Sequence, residues 1–220
     1  MPLTPAKVAV LASGRGSNLA ALLDARERGK LPVEFVLVGS DKAEAAALQL
    51  AKAANIPTIA LDPRSYPDRR TFDLDLFARV AASGAQWLVL AGFMRVIDGE
   101  ALRPWAGRII NIHPSLLPKY RGLHTHRRAL AAGDAEHGAS VHFVTAELDG
   151  GPVIAQARLT IEPGDDEQLL AQRLLPLEHH LLPAVLAVLA NGRLQWRCGA
   201  VHYDGRPLSG PLILRDHGLE

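Results

Sequence analysis

The chain has 220 residues, 48% of them hydrophobic, and a net charge of +1, an ordinary globular balance that leaves no basic footprint for nucleic acid. Its one cysteine, Cys198, excludes an internal disulfide framework and a cysteine metal cluster. Residues 1–15 lack the charged start, apolar core and cleavage site of a secretory signal, and no apolar run reaches the ~18 residues of a membrane span, so a cytoplasmic protein without a membrane partner is expected.

In chain order, residues 8–12 form a continuous apolar run suited to a strand buried on both faces, and 19–28 read as the helix that follows. A second such strand is expected at 35–38. The alanine-rich stretch 43–54 reads as a helix, closed off by Pro57 before a short strand at 58–60. A third helix at 68–83 ends at Gly84, and a fourth strand follows at 87–91. This alternation predicts a parallel sheet with helices on both faces. Residues 108–110 are a short β-branched run, so Asn111 and His113 fall near a strand end, on the same side of it. Pro114 and Pro118 then forbid regular continuation.

The second half has another rhythm. Strands at 137–145 and 152–160 are joined by the glycine-containing connection 146–151, as in an antiparallel hairpin. Asp165 and Asp166 open a long helix to about Ala190, with Pro176 inside it expected to kink or break it. The tail from Leu194 reads as a last hairpin. The expected fold class is α/β, with a Rossmann-like parallel sheet in the N-terminal half continuing into an antiparallel C-terminal part. That makes one mixed sheet flanked by helices, in a single domain 1–220 with halves 1–105 and 106–220.

Three segments carry residues suited to chemistry. In Ser13-Gly14-Arg15-Gly16-Ser17-Asn18, a glycine turn runs into a helix N-terminus, whose free N–H groups and dipole suit a phosphate. The third glycine of a dinucleotide fingerprint and the lysine of a Walker A loop are both missing, which argues against NAD and ATP. Asp41 as a ribose-binding acid loses ground for the same reason, and a glycine-rich turn that binds nothing fits these residues too. The loop after the fourth strand, Gly92 to Ile97, sets an arginine among apolar side chains, as a flat heteroaromatic ring requires, although Met94 and Ile97 also read as plain core residues. Finally, Asn111 offers an amide to a developing oxyanion and His113 an imidazole for proton transfer, while Asp149 precedes two glycines that permit a tight turn aiming its carboxylate inward. Taken alone, Asn111 and His113 fit turn or strand-end roles equally well, and Asp149 before a glycine reads first as a turn residue. Nine histidines invite a metal, but no His-Glu-x-x-His occurs, so no metal is expected. Ser115 lacks the glycine elbow of a nucleophile.

As a set, these segments carry a resemblance. Asn111-Ile112-His113-Pro114-Ser115-Leu116-Leu117-Pro118, together with the stretch from Ser140 through Asp149-Gly150-Gly151-Pro152, resembles the signature of the folate-dependent formyltransferases over nearly the whole chain. The resemblance implies 10-formyltetrahydrofolate as cosubstrate and Asn111, His113 and Asp149 as the catalytic set, with the Asp149 carboxylate keeping His113 charged. It assigns Gly16, Ser17 and Asn18 to a substrate phosphate, and Glu178 to the amine substrate. Arg69, Met94, Arg95, Val96, Ile97 and Asn111 are assigned to folate. The Gly-Ser-Asn loop is similar to the branch that formylates phosphoribosylglycinamide; another amine (a sugar nucleotide or an aminoacyl-tRNA) or hydrolysis of the formyl folate is the alternative. Small-molecule partners follow, with monomer and homodimer both open. One departure stands out: Arg121-Gly122 occupies the place of a usual Pro-Gly pair.

Overall fold

The computed structural model describes residues 5–197, 199–216 and 218–220; Cys198 lies outside the described residues. The fold is α/β, built on a mixed, mostly parallel sheet flanked by helices, with a small antiparallel sheet near the C-terminus. The chain divides into two compact units, Met1–Asn111 and Ile112–Glu220.

The first unit runs β1 (Ala6–Leu11), α1 (Ser17–Glu27), β2 (Val33–Ser40), α2 (Ala46–Ala53), β3 (Thr58–Ala60), α3 (Arg69–Ala82), β4 (Trp87–Leu90), the single turn α4 (Gly99–Leu102) and β5 (Ile109–His113), whose last two residues belong to the second unit. Its strands lie in the order β5-β4-β1-β2-β3, all parallel. Val8, Ala9, Val10, Leu11, Leu88 and Val89 are fully buried, as a central parallel strand covered on both faces demands. Helix starts are chemically marked: the Asp68 side chain accepts the Thr71 N–H at 2.7 Å, and Asp98 accepts that of Glu100 at 2.9 Å.

The second unit continues with α5 (Thr125–Ala131), β6 (Glu136–Phe143), β7 (Val153–Thr160), α6 (Glu167–Ala190), the strands β8 (Leu194–Arg197), β9 (Ala200–Tyr203) and β10 (Arg206–Pro207), then β11 (Leu212–Arg215) and β12 (Gly218–Leu219). β6 and β7 form the expected antiparallel hairpin, with Ser140 opposite Gln156. β8, β9 and β10 make the small antiparallel sheet. Unforeseen from local pattern, β11 returns to run parallel beside β7, with Ile213 opposite Gln156.

Of the kink or break expected at Pro176, helix α6 excludes the break. It runs unbroken from Glu167 to Ala190 with both Pro176 and Pro183 inside. The energy that holds it is tertiary, since Leu170, Leu174, Leu181, Leu182, Val185 and Leu186 are fully buried. Burial of that many apolar side chains outweighs the ~3 kcal/mol a helical proline costs. By length and composition α6 would also suffice to cross a membrane, yet it packs on β6 and β7 as a core helix.

Candidate active site

β5 delivers His113 to the start of a loop, and the ring is buried there. Its Nε2–H donates to the Tyr120 carbonyl oxygen at 2.9 Å, because a carbonyl can only accept. That bond assigns the other nitrogen, Nδ1, as the atom that gains and loses a proton, and Nδ1 lies 3.5 Å from Asp149 Oδ2. The loop from Pro114 to His124 is held by a buried polar knot. Ser140 Oγ donates to the Ser115 carbonyl at 2.7 Å and accepts the Leu117 N–H at 3.0 Å. Gln156 Nε2 donates to the Leu117 carbonyl at 2.9 Å and to Ser140 Oγ at 3.0 Å. Ser115 itself is fully buried and donates to the Lys119 carbonyl, a structural hydroxyl rather than a nucleophile.

Asp149 arrives from the connection between β6 and β7, in the left-handed region with φ 45°. Few non-glycine residues hold that conformation without compensation. The compensation is in its contacts: Oδ2 accepts the Gly122 N–H at 2.9 Å, and Oδ1 lies 3.5 Å from His142 Nε2. His142 is buried on β6, and its Nδ1–H donates to the Phe143 carbonyl at 2.9 Å. The carboxylate is therefore bracketed by two imidazoles, one per oxygen. Sequence reading gave His142 no place beside Asp149. Arg121, the departure noted in the sequence, pairs with Glu147, joining the two loops that meet at Asp149.

The electrostatics differ from the simple expectation. Burial alone would raise the Asp149 carboxyl, but the His142 hydrogen bond, the His113 charge and the Gly122 N–H overcome it and bring it down to about 2. Burial dominates at His113 and holds its pKa below the ordinary histidine value, against the opposing pull of the Tyr120 carbonyl and the Asp149 charge. Asp149 thus acts on His113 in the expected direction and is outweighed by desolvation. The buried imidazole is a base at neutral pH, and a proton accepted at Nδ1 creates an N–H aimed at the carboxylate.

In the first unit, Gly16 caps α1 at φ 75°, and a Cβ there would stand 2.8 Å from the Ala47 Cα, so the turn admits only glycine. Gly16, having no side chain, makes no cap hydrogen bond of its own. Ser17 and Asn18 are the first two residues of α1. The next loop is tied to this turn by Ser13, whose N–H donates to the Gly92 carbonyl at 3.0 Å and whose Oγ accepts the Met94 N–H at 3.0 Å. Met94 is 71% exposed and Val96 47%, while Ile97 is buried. The Arg95 guanidinium lies 4.6 Å from the centre of the Phe72 ring. Arg69 is the exposed first residue of α3, and Asn111 pairs with Leu90 on β5, two residues before His113. Glu178 is half-buried midway along α6. His113 and Asp149 are thus brought together in one unit, and the 16–18 and 94–97 turns are joined through Ser13 in the other. Among the described residues, no group of three or more His, Cys, Asp or Glu side chains is placed to hold a metal ion.

Known proteins give this geometry a family. The formyl transferase model matches residues 6–186. The phosphoribosylglycinamide formyltransferase of Escherichia coli (strain K12) is 45% identical over 201 residues, covering 91% of this chain and 95% of that protein. A trifunctional purine biosynthetic protein adenosine-3 of Drosophila pseudoobscura pseudoobscura is 45% identical over 86% of this chain, which spans only 14% of that longer protein. Among solved structures, the phosphoribosylglycinamide formyltransferase of Coxiella burnetii superimposes with a TM-score of 0.90 at 45% identity, over 94% of this chain and 98% of that one. The chain therefore belongs to the formyl transferase family and, within it, to the phosphoribosylglycinamide formyltransferases.

Proposed function

We propose that this protein transfers the formyl group of 10-formyltetrahydrofolate to the amine of 5-phosphoribosylglycinamide, a step of purine biosynthesis carried out in the cytoplasm. The observation that supports this reading best is the buried His113 with Nδ1 3.5 Å from an Asp149 carboxylate held down at about 2. Such a pair accepts a proton in a water-poor site and stabilises it once it is there. The substrate amine attacks the formyl carbon and forms the new C–N bond, giving a tetrahedral adduct with its charge on oxygen. Asn111 donates a hydrogen bond to that oxygen, and His113 takes the proton the amine sheds. Collapse breaks the bond from the formyl carbon to the folate nitrogen, which leaves with the proton that His113 returns. Asp149 supports the imidazolium between those two events.

The remaining roles are matters of binding. Gly16, Ser17 and Asn18 hold the substrate phosphate at the α1 N-terminus, and binding energy gained there orients the distant amine. Glu178 contacts the ribonucleotide. Met94, Arg95, Val96 and Ile97, with Arg69 and Asn111, hold the folate. The test is a formyl-transfer assay offering phosphoribosylglycinamide beside a sugar nucleotide and an aminoacyl-tRNA, with His113→Ala and Asp149→Ala as variants. Transfer to the glycinamide amine alone, with turnover largely lost in both variants and substrate binding much less changed, is the expected outcome. Unchanged turnover in both variants removes the catalytic assignment.

A further inference from the structure

Asp73 sits in α3, four residues after Arg69 and next to Phe72, and it is fully buried. A carboxylate is rarely buried whole unless its charge is answered. Oδ2 accepts the Asp98 N–H at 2.7 Å, while among the described residues Oδ1 has no hydrogen-bond partner. Burial leads, raising the Asp73 pKa, and the Asp98 N–H opposes it first, with the charges of Arg95 and Arg69 adding less. Arg95 is in a matching position: its Nε is buried without a hydrogen-bond partner among the described residues, and its guanidinium rests over Phe72, the neighbour of Asp73 in sequence. For stability alone an apolar side chain would serve better here than a half-satisfied charge. At the other end of the loop, Met94 N–H is fixed by Ser13 Oγ at 3.0 Å. Residues 94–97 thus lie between two hydrogen bonds to buried side chains, presenting Met94 and Val96 exposed on a backbone held at both ends.

From this we infer that Asp73 is a positioning residue for the formyl folate: its buried carboxylate fixes the far end of the 94–97 loop through the Asp98 N–H. The inference rests on the reading of that loop and those arginines as the folate contacts. Asp73 itself touches no substrate. It acts by having the loop in place before the ligand arrives, so that its ordering is not paid at binding.

Steady-state kinetics of the full chain with each substrate varied in turn test it. Asp73→Ala removes both acceptor and charge, and Asp73→Asn keeps an acceptor for the Asp98 N–H. Asp98→Pro deletes that N–H at a φ of −66°, which proline already adopts, and Asp98→Ala controls for loss of the α4 cap. Loss of a hydrogen bond to a charged group predicts a KM for formyl folate raised about tenfold in Asp73→Ala, with kcat and the amine KM within about twofold. Asp73→Asn recovers part of the loss, and Asp98→Pro exceeds Asp98→Ala. If Asp73→Ala does not fold, the comparison of the two Asp98 variants carries the test. A formyl folate KM within twofold of wild type in Asp73→Ala and Asp98→Pro overturns the inference, as does a uniform fall in kcat with both KM values raised. Calorimetry with a folate analogue separates the two levels: no binding by the wild type overturns the functional reading and this inference together, whereas wild-type binding with an unmoved KM in the variants overturns the inference alone.

Discussion

Replacing Asp149 by Asn should cost stability in a manner that depends on pH. Asparagine tolerates the left-handed backbone at least as well as aspartate, so the substitution leaves the φ of 45° unstrained; it removes the charge and turns one acceptor oxygen into a donor, and only the charge makes the loss depend on pH. In the folded protein the carboxyl sits at about 2, against an ordinary value of 3.8. A carboxyl whose folded value is depressed adds stability above its unfolded value and loses it as pH falls through the folded one. At ~1.36 kcal/mol per tenfold change in proton affinity the full contribution is about 2 to 2.5 kcal/mol at pH 6, of which about 1 kcal/mol is gone by pH 3. Solvent screening takes little from this figure, because the side chain is only 11% exposed. Urea unfolding of wild type and Asp149→Asn at pH 3, 4, 5 and 6 measures it directly. The gap between the two proteins should narrow by about 1 kcal/mol from pH 6 to pH 3. A gap that stays constant over this range means that Asp149 titrates like a free carboxyl, and the picture of a charge clasped by two imidazoles fails.

Two further outcomes follow from the same geometry. His113 should titrate below an ordinary histidine in an NMR pH series of the wild type, and lower still in Asp149→Asn, because the carboxylate is among the groups that pull it upward; an unmoved or rising value in the variant contradicts this. Gly16→Ala forces a Cβ into the Ala47 backbone at positive φ, so about 1 to 3 kcal/mol of stability and most phosphate-dependent substrate affinity should be lost, as read by thermal melting and by calorimetry with phosphoribosylglycinamide.

How much was legible in the sequence depended on whether the deciding interaction was local. The buried strands β1, β2 and β4 announce themselves as apolar runs, and Asp68 and Asp166 mark the starts of α3 and α6 because a cap acts within three residues. The strand β11 did not announce itself: its four residues are held by β7, more than fifty positions earlier, and no local pattern encodes that distance. Pro176 left kink and break both open for the converse reason: a local rule says what a proline costs a helix, and the packing of leucines along α6 decides that the helix continues. At the site, the residue types at 111, 113 and 149 pointed to acyl chemistry, but the balance of charge did not. Whether Asp149 or desolvation governs His113 depends on burial, which only the folded chain sets. His142 and Asp73 escaped for a related reason, as their importance lies in which backbone or side-chain atom each one faces.

The place of β11 ties residues 212–215 to the loop that follows His113. Ile213 lies opposite Gln156, and the Gln156 amide is what secures the Leu117 carbonyl and the Ser140 hydroxyl. A chain shortened before Leu212 would bare one edge of β7 to water and to other chains, and slacken that glutamine at the same stroke.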